Sequence, residues 1–197
     1  MKKPPNIQSK FDQLYETLSG EEFLQMKSLN GEVPFHVTEY SMDQHLEYQA
    51  AIHSLMKRLQ SGGINVLEVH LYDLLLEFLE SKNLLNRLIT AEERMNQKQF
   101  LKALRSSANF GAQIKPWIHQ RVKKYPQTQI YFLNGLAEIH PVYQITGILE
   151  NLQSVFHQAP TVIFYPGTYE KTEFKLFDQI SEPNYYRAYH LDKTLSS

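Results

Sequence analysis

Four short runs rich in Val, Ile, Phe and Tyr constrain this chain more than any other feature. They are Val33 to Tyr40, Ile64 to His70, Gln129 to Leu133 and Thr161 to Tyr165. Between them lie stretches with apolar residues at helical spacing: Tyr48, Ile52, Leu55 and Leu59, then Leu71, Leu74, Leu75, Phe78 and Leu79, then Ile148, Leu149, Leu152, Val155 and Phe156. A strand buried on both faces reads as a continuous apolar run, and a helix covering it carries an apolar stripe. Their alternation predicts an α/β chain with a mostly parallel sheet between two helical layers. The expected architecture is a single three-layer domain over residues 1–197, with a Rossmann-like or P-loop-like sheet but without a P-loop. Ile7, Phe11, Leu14, Tyr15 and Leu18 make residues 1–30 a helical extension packed on that domain.

Local signals set the expected boundaries. Ser19 with Glu22, Ser41 with Gln44 and Thr90 with Glu93 have capping-box spacing. Gly62-Gly63 ends one helix, Pro116 opens another and Pro126 stops it. Pro166-Gly167 predicts a turn after the fourth strand, with Phe174 to Phe177 and Tyr186 to Leu191 as two final strands.

Several classes of chemistry are excluded. The chain has no cysteine, which removes disulfides, thiol nucleophiles and cysteine-ligated metals. The lysines at the start precede no apolar stretch of a secretory leader, and runs such as Leu74 to Leu76 are too short to span a membrane. A soluble, cytoplasmic protein is expected. No phosphate-binding glycine loop, dinucleotide fingerprint, nucleophile elbow or zinc-protease motif occurs. Ser54 and Lys57 match the S-x-x-K spacing, but the S-D-N and K-T-G companions are missing, and Ser54 reads as a solvent-facing helix residue. The expectation is a non-enzyme with no catalytic residue, metal or cofactor.

In open parallel sheets, ligands sit beyond the carboxyl ends of the strands. Those ends carry Glu68, His70 and Asp73, then Asn134, Glu138 and His140, then Pro166 to Tyr169. Glu68, His70 and Asp73 have donor types suited to a divalent metal or to acid–base work, but strand and cap roles account for them more plainly. Asn134 to Pro141 is where nucleotide hydrolases place metal and phosphate contacts, and turn chemistry explains the same residues.

Charge is unevenly placed. Net charge is −1, yet no acid lies between Glu93 and Glu138, where Arg94, Lys98, Lys102, Arg105, Lys115, Arg121, Lys123 and Lys124 stand. Lys98, Lys102 and Arg105 fall on one helix face, and Trp117 lies close in sequence. This block is a candidate site for nucleic-acid phosphates or an acidic partner. A solvated face neutralised by acidic neighbours is the alternative.

The last feature is aromatic: Phe164-Tyr165-Pro166-Gly167-Thr168-Tyr169, then Asn184-Tyr185-Tyr186-Arg187-Ala188-Tyr189. Tyr and Arg dominate protein interfaces, which makes Pro166, Gly167, Tyr169, Tyr185, Tyr186 and Arg187 candidate partner-binding residues, with core packing as the alternative. These stretches, with Leu176-Phe177, resemble the signature of the BrxB family, the small B component of BREX (bacteriophage exclusion) defence systems. Val33-Pro34-Phe35, Val66 to Leu76, Asn134-Gly135, His140-Pro141 and Leu149 to Gln153 look similar as well. The likeness departs at Tyr165 and Tyr189, where Phe is expected, and at Phe174, where Leu is expected. The resemblance implies a role in bacterial antiviral defence, with the alkaline-phosphatase-like PglZ, the ATPase BrxC and the adenine methyltransferase PglX as partners. It supplies no catalytic residue. The reading is an adaptor or scaffold subunit, with DNA binding through residues 94–124 as the alternative.

Overall fold

The computed structural model describes residues 6–26, 35–170, 173–183 and 188–194. It is a three-layer α/β domain. Two helices, α1 (Ile7–Ser19) and α2 (Glu21–Leu24), precede strand β1 (Phe35–Tyr40). Helix α3 (His45–Ser61) leads to β2 (Val66–His70), and α4 (Leu71–Ser81), α5 (Leu85–Glu92), α6 (Gln97–Ser107) and α7 (Lys115–Lys123) lead to β3 (Ile130–Asn134). Then come α8 (Leu136–Ile139), α9 (Ile145–Leu152), β4 (Thr161–Glu170), β5 (Glu173–Leu176), β6 (Ile180–Pro183), β7 (Tyr189–His190) and α10 (Leu191–Thr194).

The sheet runs β2-β3-β4-β1-β7, with every neighbouring pair on this path parallel. An antiparallel hairpin of β5 and β6 extends from the far half of β4. Period-two alternation sends side chains to two separate cores. Phe35, Val37, Tyr131, Leu133, Ile163 and Tyr165 face the layer of α4 to α9. Tyr40, Ile130, Phe132, Val162 and Phe164 face α1 and α3. Helix α1 buries Phe11, Leu14 and Leu18 against α3, so the N-terminal helix contributes to the core.

Three boundaries differ from expectation. Ser19 turns back and donates to the Tyr15 carbonyl, leaving Gly20 as an N-cap without a side-chain bond. Ser41 makes no cap bond either, and a short 3₁₀ turn, Met42–Gln44, precedes α3. Thr90 lies inside α5 and donates to the Asn86 carbonyl. The capping box is Asn96 with Gln99, which starts α6 as a separate helix.

His36 lies on the α1–α3 side of β1, against Phe23 and Tyr189, with ring centroids 4.7 and 5.4 Å away. Burial pulls its pKa from 6.5 down to about 4. Between those values the unfolded chain binds a proton that the folded chain refuses. Stability is therefore complete above the higher value and falls as pH drops towards the lower one. From pH 7.5 to pH 5 this group alone removes roughly 2 kcal/mol. Urea unfolding at both pH values, for the natural chain and for His36→Phe, reads the difference. An equal pH dependence in both proteins would remove His36 as its source.

Candidate functional site

The carboxyl edge of the sheet gathers polar side chains from four consecutive stretches of the fold. After β1 the chain passes into α3 on one face, whereas after β2 and β3 it passes into helices on the other. Open parallel sheets bind ligands where connections part in this way. Gathered at this edge are Tyr40 from the end of β1, His45 and Gln49 from the first turns of α3, Glu68 and His70 from β2, and Asn134 and Glu138 around the end of β3.

These groups mostly satisfy one another. Glu138 stands 3.2 Å from the His45 ring and 4.0 Å from the His70 ring. The other ring nitrogen of His45 pairs with the Tyr40 hydroxyl at 3.1 Å. Asn134, 1% exposed, exchanges two amide hydrogen bonds with Gln49, at 2.7 and 3.2 Å, and donates to Glu68 at 3.4 Å. His70 caps α4 by accepting from the Asp73 backbone N–H at 3.4 Å. Gly135, at φ 79°, follows directly. A Cβ there would lie 3.0 Å from the His70 ring and from the Leu71 backbone nitrogen.

The arrangement limits what this edge can do. Tyr40, His45 and Glu138 form a hydroxyl–imidazole–carboxylate array of the kind that activates nucleophiles. But Tyr40 is 5% exposed, and burial, aided by the nearby Glu138 charge, pushes its phenol far above the usual range. Such a phenol orients His45 and is a poor nucleophile. Glu68 turns to Asn134 while His70 turns to Asp73 and Glu138, so Glu68, His70 and Asp73 do not converge as a metal requires. Among the described residues no three His, Asp or Glu side chains do. One oxygen of Glu138 is shielded and has no hydrogen-bond partner among the described residues.

The carboxyl-end rule finds Glu68, His70, Asn134 and Glu138 in the sequence. It misses Tyr40, His45 and Gln49. The signal for these was present: His45 and Gln49 are one turn apart at the start of the helix that follows β1.

The C-terminal signature is placed differently. Pro166, Gly167 and Tyr169 are buried within β4, which runs on through the expected turn. The Tyr169 hydroxyl donates to the Ala188 carbonyl at 3.2 Å and accepts from the Ala188 N–H at 3.1 Å. Its backbone N–H donates to Glu39, whose carboxylate also meets His190 at 3.0 Å. The two halves of the signature are thus bonded to each other, and Pro166, Gly167 and Tyr169 are committed to packing within the fold. Tyr185, Tyr186 and Arg187 lie outside the described residues, as do Val33 and Pro34.

The basic block splits into two groups. Arg121 pairs with Glu77 at 2.6 Å. Arg105 donates to the carbonyls of Pro141 and Val142, both at 2.5 Å, and so anchors the loop before α9. Arg94, Lys98, Lys102, Lys115, Lys123 and Lys124 have no carboxylate partner within ion-pair distance among the described residues. Lys98 and Lys102 are exposed on α6, and Lys123 and Lys124 at the far end of α7. Trp117 packs edge-on against Phe78 at 5.8 Å, which commits that ring to the core.

Comparison with known proteins assigns the family. The family model of BREX protein BrxB matches residues 67–191. The chain belongs to the BrxB family. It is 27% identical over 186 residues to a BREX protein BrxB of Bacillus cereus (strain H3081.97), covering 94% of this chain and 97% of the relative. A BREX protein BrxB of Escherichia coli O9:H4 (strain HS) is 21% identical over 187 residues, covering 95% and 92%. No solved structure matches. The protein is therefore a component of a bacterial BREX antiviral system. Among the described residues no helix is long and apolar enough to cross a membrane.

Proposed function

We propose that this BrxB protein is a non-catalytic adaptor of a cytoplasmic BREX complex, holding other BREX proteins together. PglZ is its most direct partner, with BrxC and PglX in the same assembly. The observation that carries this reading is the near full-length likeness to BREX proteins named BrxB. The mutual pairing of the polar groups at the carboxyl edge supports it, because an active site keeps reactive groups open to substrate. DNA binding through residues 94–124 is the second reading, favoured by the block's cations, of which only Arg121 has a carboxylate partner among the described residues.

One affinity purification tests both. The tagged protein is recovered from its native host at low salt, with and without nuclease, and co-purifying proteins are identified by mass spectrometry. The adaptor reading expects PglZ, BrxC or PglX to survive nuclease. It also expects Tyr186→Ala or Arg187→Ala to cut phage resistance and partner recovery roughly tenfold, the effect of losing about 1.4 kcal/mol. A solitary protein overturns the adaptor. Variants that fold normally and protect fully remove the 185–187 segment from it. Under the second reading DNA is retained, retention falls steeply with salt, and Lys98→Glu/Lys102→Glu/Arg105→Glu abolishes it.

A further inference from the structure

Helices α5 and α6 are each held to the core by a single buried side chain. Leu88 is the one buried side chain of α5, at 8% exposure, and Leu104 that of α6, also at 8%. Outward from Leu88, Arg87, Thr90, Ala91 and Arg94 follow at helical spacing. With Asn86 and Met95 they line a shallow depression of about 620 Å³. Neither arginine has a carboxylate within ion-pair distance among the described residues. At 100° per residue, Glu92 and Glu93 project roughly 120–140° round the helix from Arg87. Lys98 and Lys102 continue the positive charge onto the exposed face of α6. Arg105, tied to two backbone carbonyls, adds a fixed charge with no carboxylate at ion-pair distance among the described residues.

Apolar surface accompanies the charge. Met95 is 40% exposed within the depression, and Ile89 is 54% exposed on the other flank of α5. Ile89, about 160° round the helix from Arg87, lies outside the depression, and on the charged face itself a phosphate backbone satisfies arginines and lysines but gains little from the Met95 side chain. A protein segment with carboxylates on one side and apolar residues on the other uses both.

We propose that the α5–α6 hairpin is a docking surface for an acidic, amphipathic segment of a partner protein. Carboxylates of that segment pair with Arg87 and Arg94 and then with Lys98 and Lys102, while its apolar side chains cover Ala91 and Met95. This rests on the adaptor reading and specifies where and by what chemistry the adaptor holds its partner.

The test uses the complex purified from the native host with the full chain. Carbodiimide treatment joins carboxylates to lysine amines without a spacer, and hydrogen exchange compares free and complexed protein. Crosslinks from Lys98 or Lys102 to Asp or Glu of a co-purified protein are expected, along with slowed exchange over residues 85–96. Arg87→Glu/Arg94→Glu, with unchanged thermal melting, should weaken recovery roughly a hundredfold, as reversal of desolvated charges does. A complex that forms equally well with that variant, with unprotected α5 amides, overturns this surface and leaves the adaptor standing. Loss of the complex on nuclease treatment makes the occupant a nucleic acid and overturns it too. If the natural chain recovers no partner, the adaptor reading falls and this surface with it.

Discussion

Gly167→Ala should destabilise this protein by on the order of 3 kcal/mol or more, enough to leave a marginal domain largely unfolded. Gly167 sits at φ 141°, buried in the middle of β4. Tyr40 of β1 is opposed by both Pro166 and Gly167, an irregularity that marks where β4 leaves its parallel neighbours. From there the strand pairs with β5, Gly167 lying opposite Leu176. A Cβ on Gly167 would stand 2.1 Å from the Lys175 carbonyl oxygen and 2.9 Å from the Phe177 nitrogen. Both are backbone atoms of the pairing strand and its turn, so no side-chain rotation relieves the contact. The left-handed conformation adds strain of about 1–3 kcal/mol for any L-residue. Gly147→Ala is the control. That glycine is helical with open space around it, and alanine there should be neutral or stabilise by up to about 1 kcal/mol. Urea midpoints of the two variants decide the matter: a Gly167→Ala protein as stable as the natural chain would mean that β5 does not press on β4 in this way. The result also bears on function. Lost phage resistance in Gly167→Ala would report a broken fold, so partner contacts must be probed at exposed positions.

The same residue illustrates where the sequence misleads. Pro-Gly is a strong turn signal, and nothing local reveals that the chain continues as a strand. What keeps it extended is pairing with β5, whose backbone leaves no room for a Cβ there. Strands β1 to β4 were legible because Val, Ile and Phe filled both faces, and a strand buried on both sides has little room for other residues. Their parallel pairing followed from the helices between them. The caps were less legible, since Ser41 with Gln44 has the right spacing but the backbone enters a 3₁₀ turn instead. Asn96 with Gln99 is obscured in the sequence because Thr90 and Glu93 have the same pattern a few residues earlier, where the chain is already helical. At the carboxyl edge, rules about strand ends locate Glu68, His70, Asn134 and Glu138. Tyr40 ends β1, while His45 and Gln49 belong to the first turns of α3, and only the sheet order brings these three beside Asn134 and Glu138.

Least legible of all is the knot that closes the domain, and Asp192→Ala should cost about 3 kcal/mol by opening it. Lys10 on α1 is 8% exposed, and its ammonium group lies 2.9 Å from the Asp192 carboxylate. That carboxylate also accepts from the Thr38 hydroxyl at 2.8 Å and from the Glu39 backbone N–H at 2.9 Å. The partners lie 182 residues apart, so no periodicity or motif could have paired them. Removing Asp192 leaves the Lys10 ammonium facing the Glu39 carbonyl at 2.6 Å and the Tyr48 ring at 5.4 Å, neither of which carries a counter-charge, and strips an acceptor from two donors of β1. A buried cation without its counter-charge is far costlier than a surface pair lost. Arg58→Ala is the comparison. Its pair with Asp12 is largely exposed, and its loss should cost under about 1 kcal/mol. Lys10→Met/Asp192→Leu should recover much of the stability lost in Asp192→Ala, because apolar replacement removes the uncompensated charge. Equal unfolding midpoints for Asp192→Ala and Arg58→Ala would sink the knot. A large difference would mean that α10 clasps the first helix to β1. The C-terminal signature, bonded to Glu39 through Tyr169 and His190, would then be held in register from both ends.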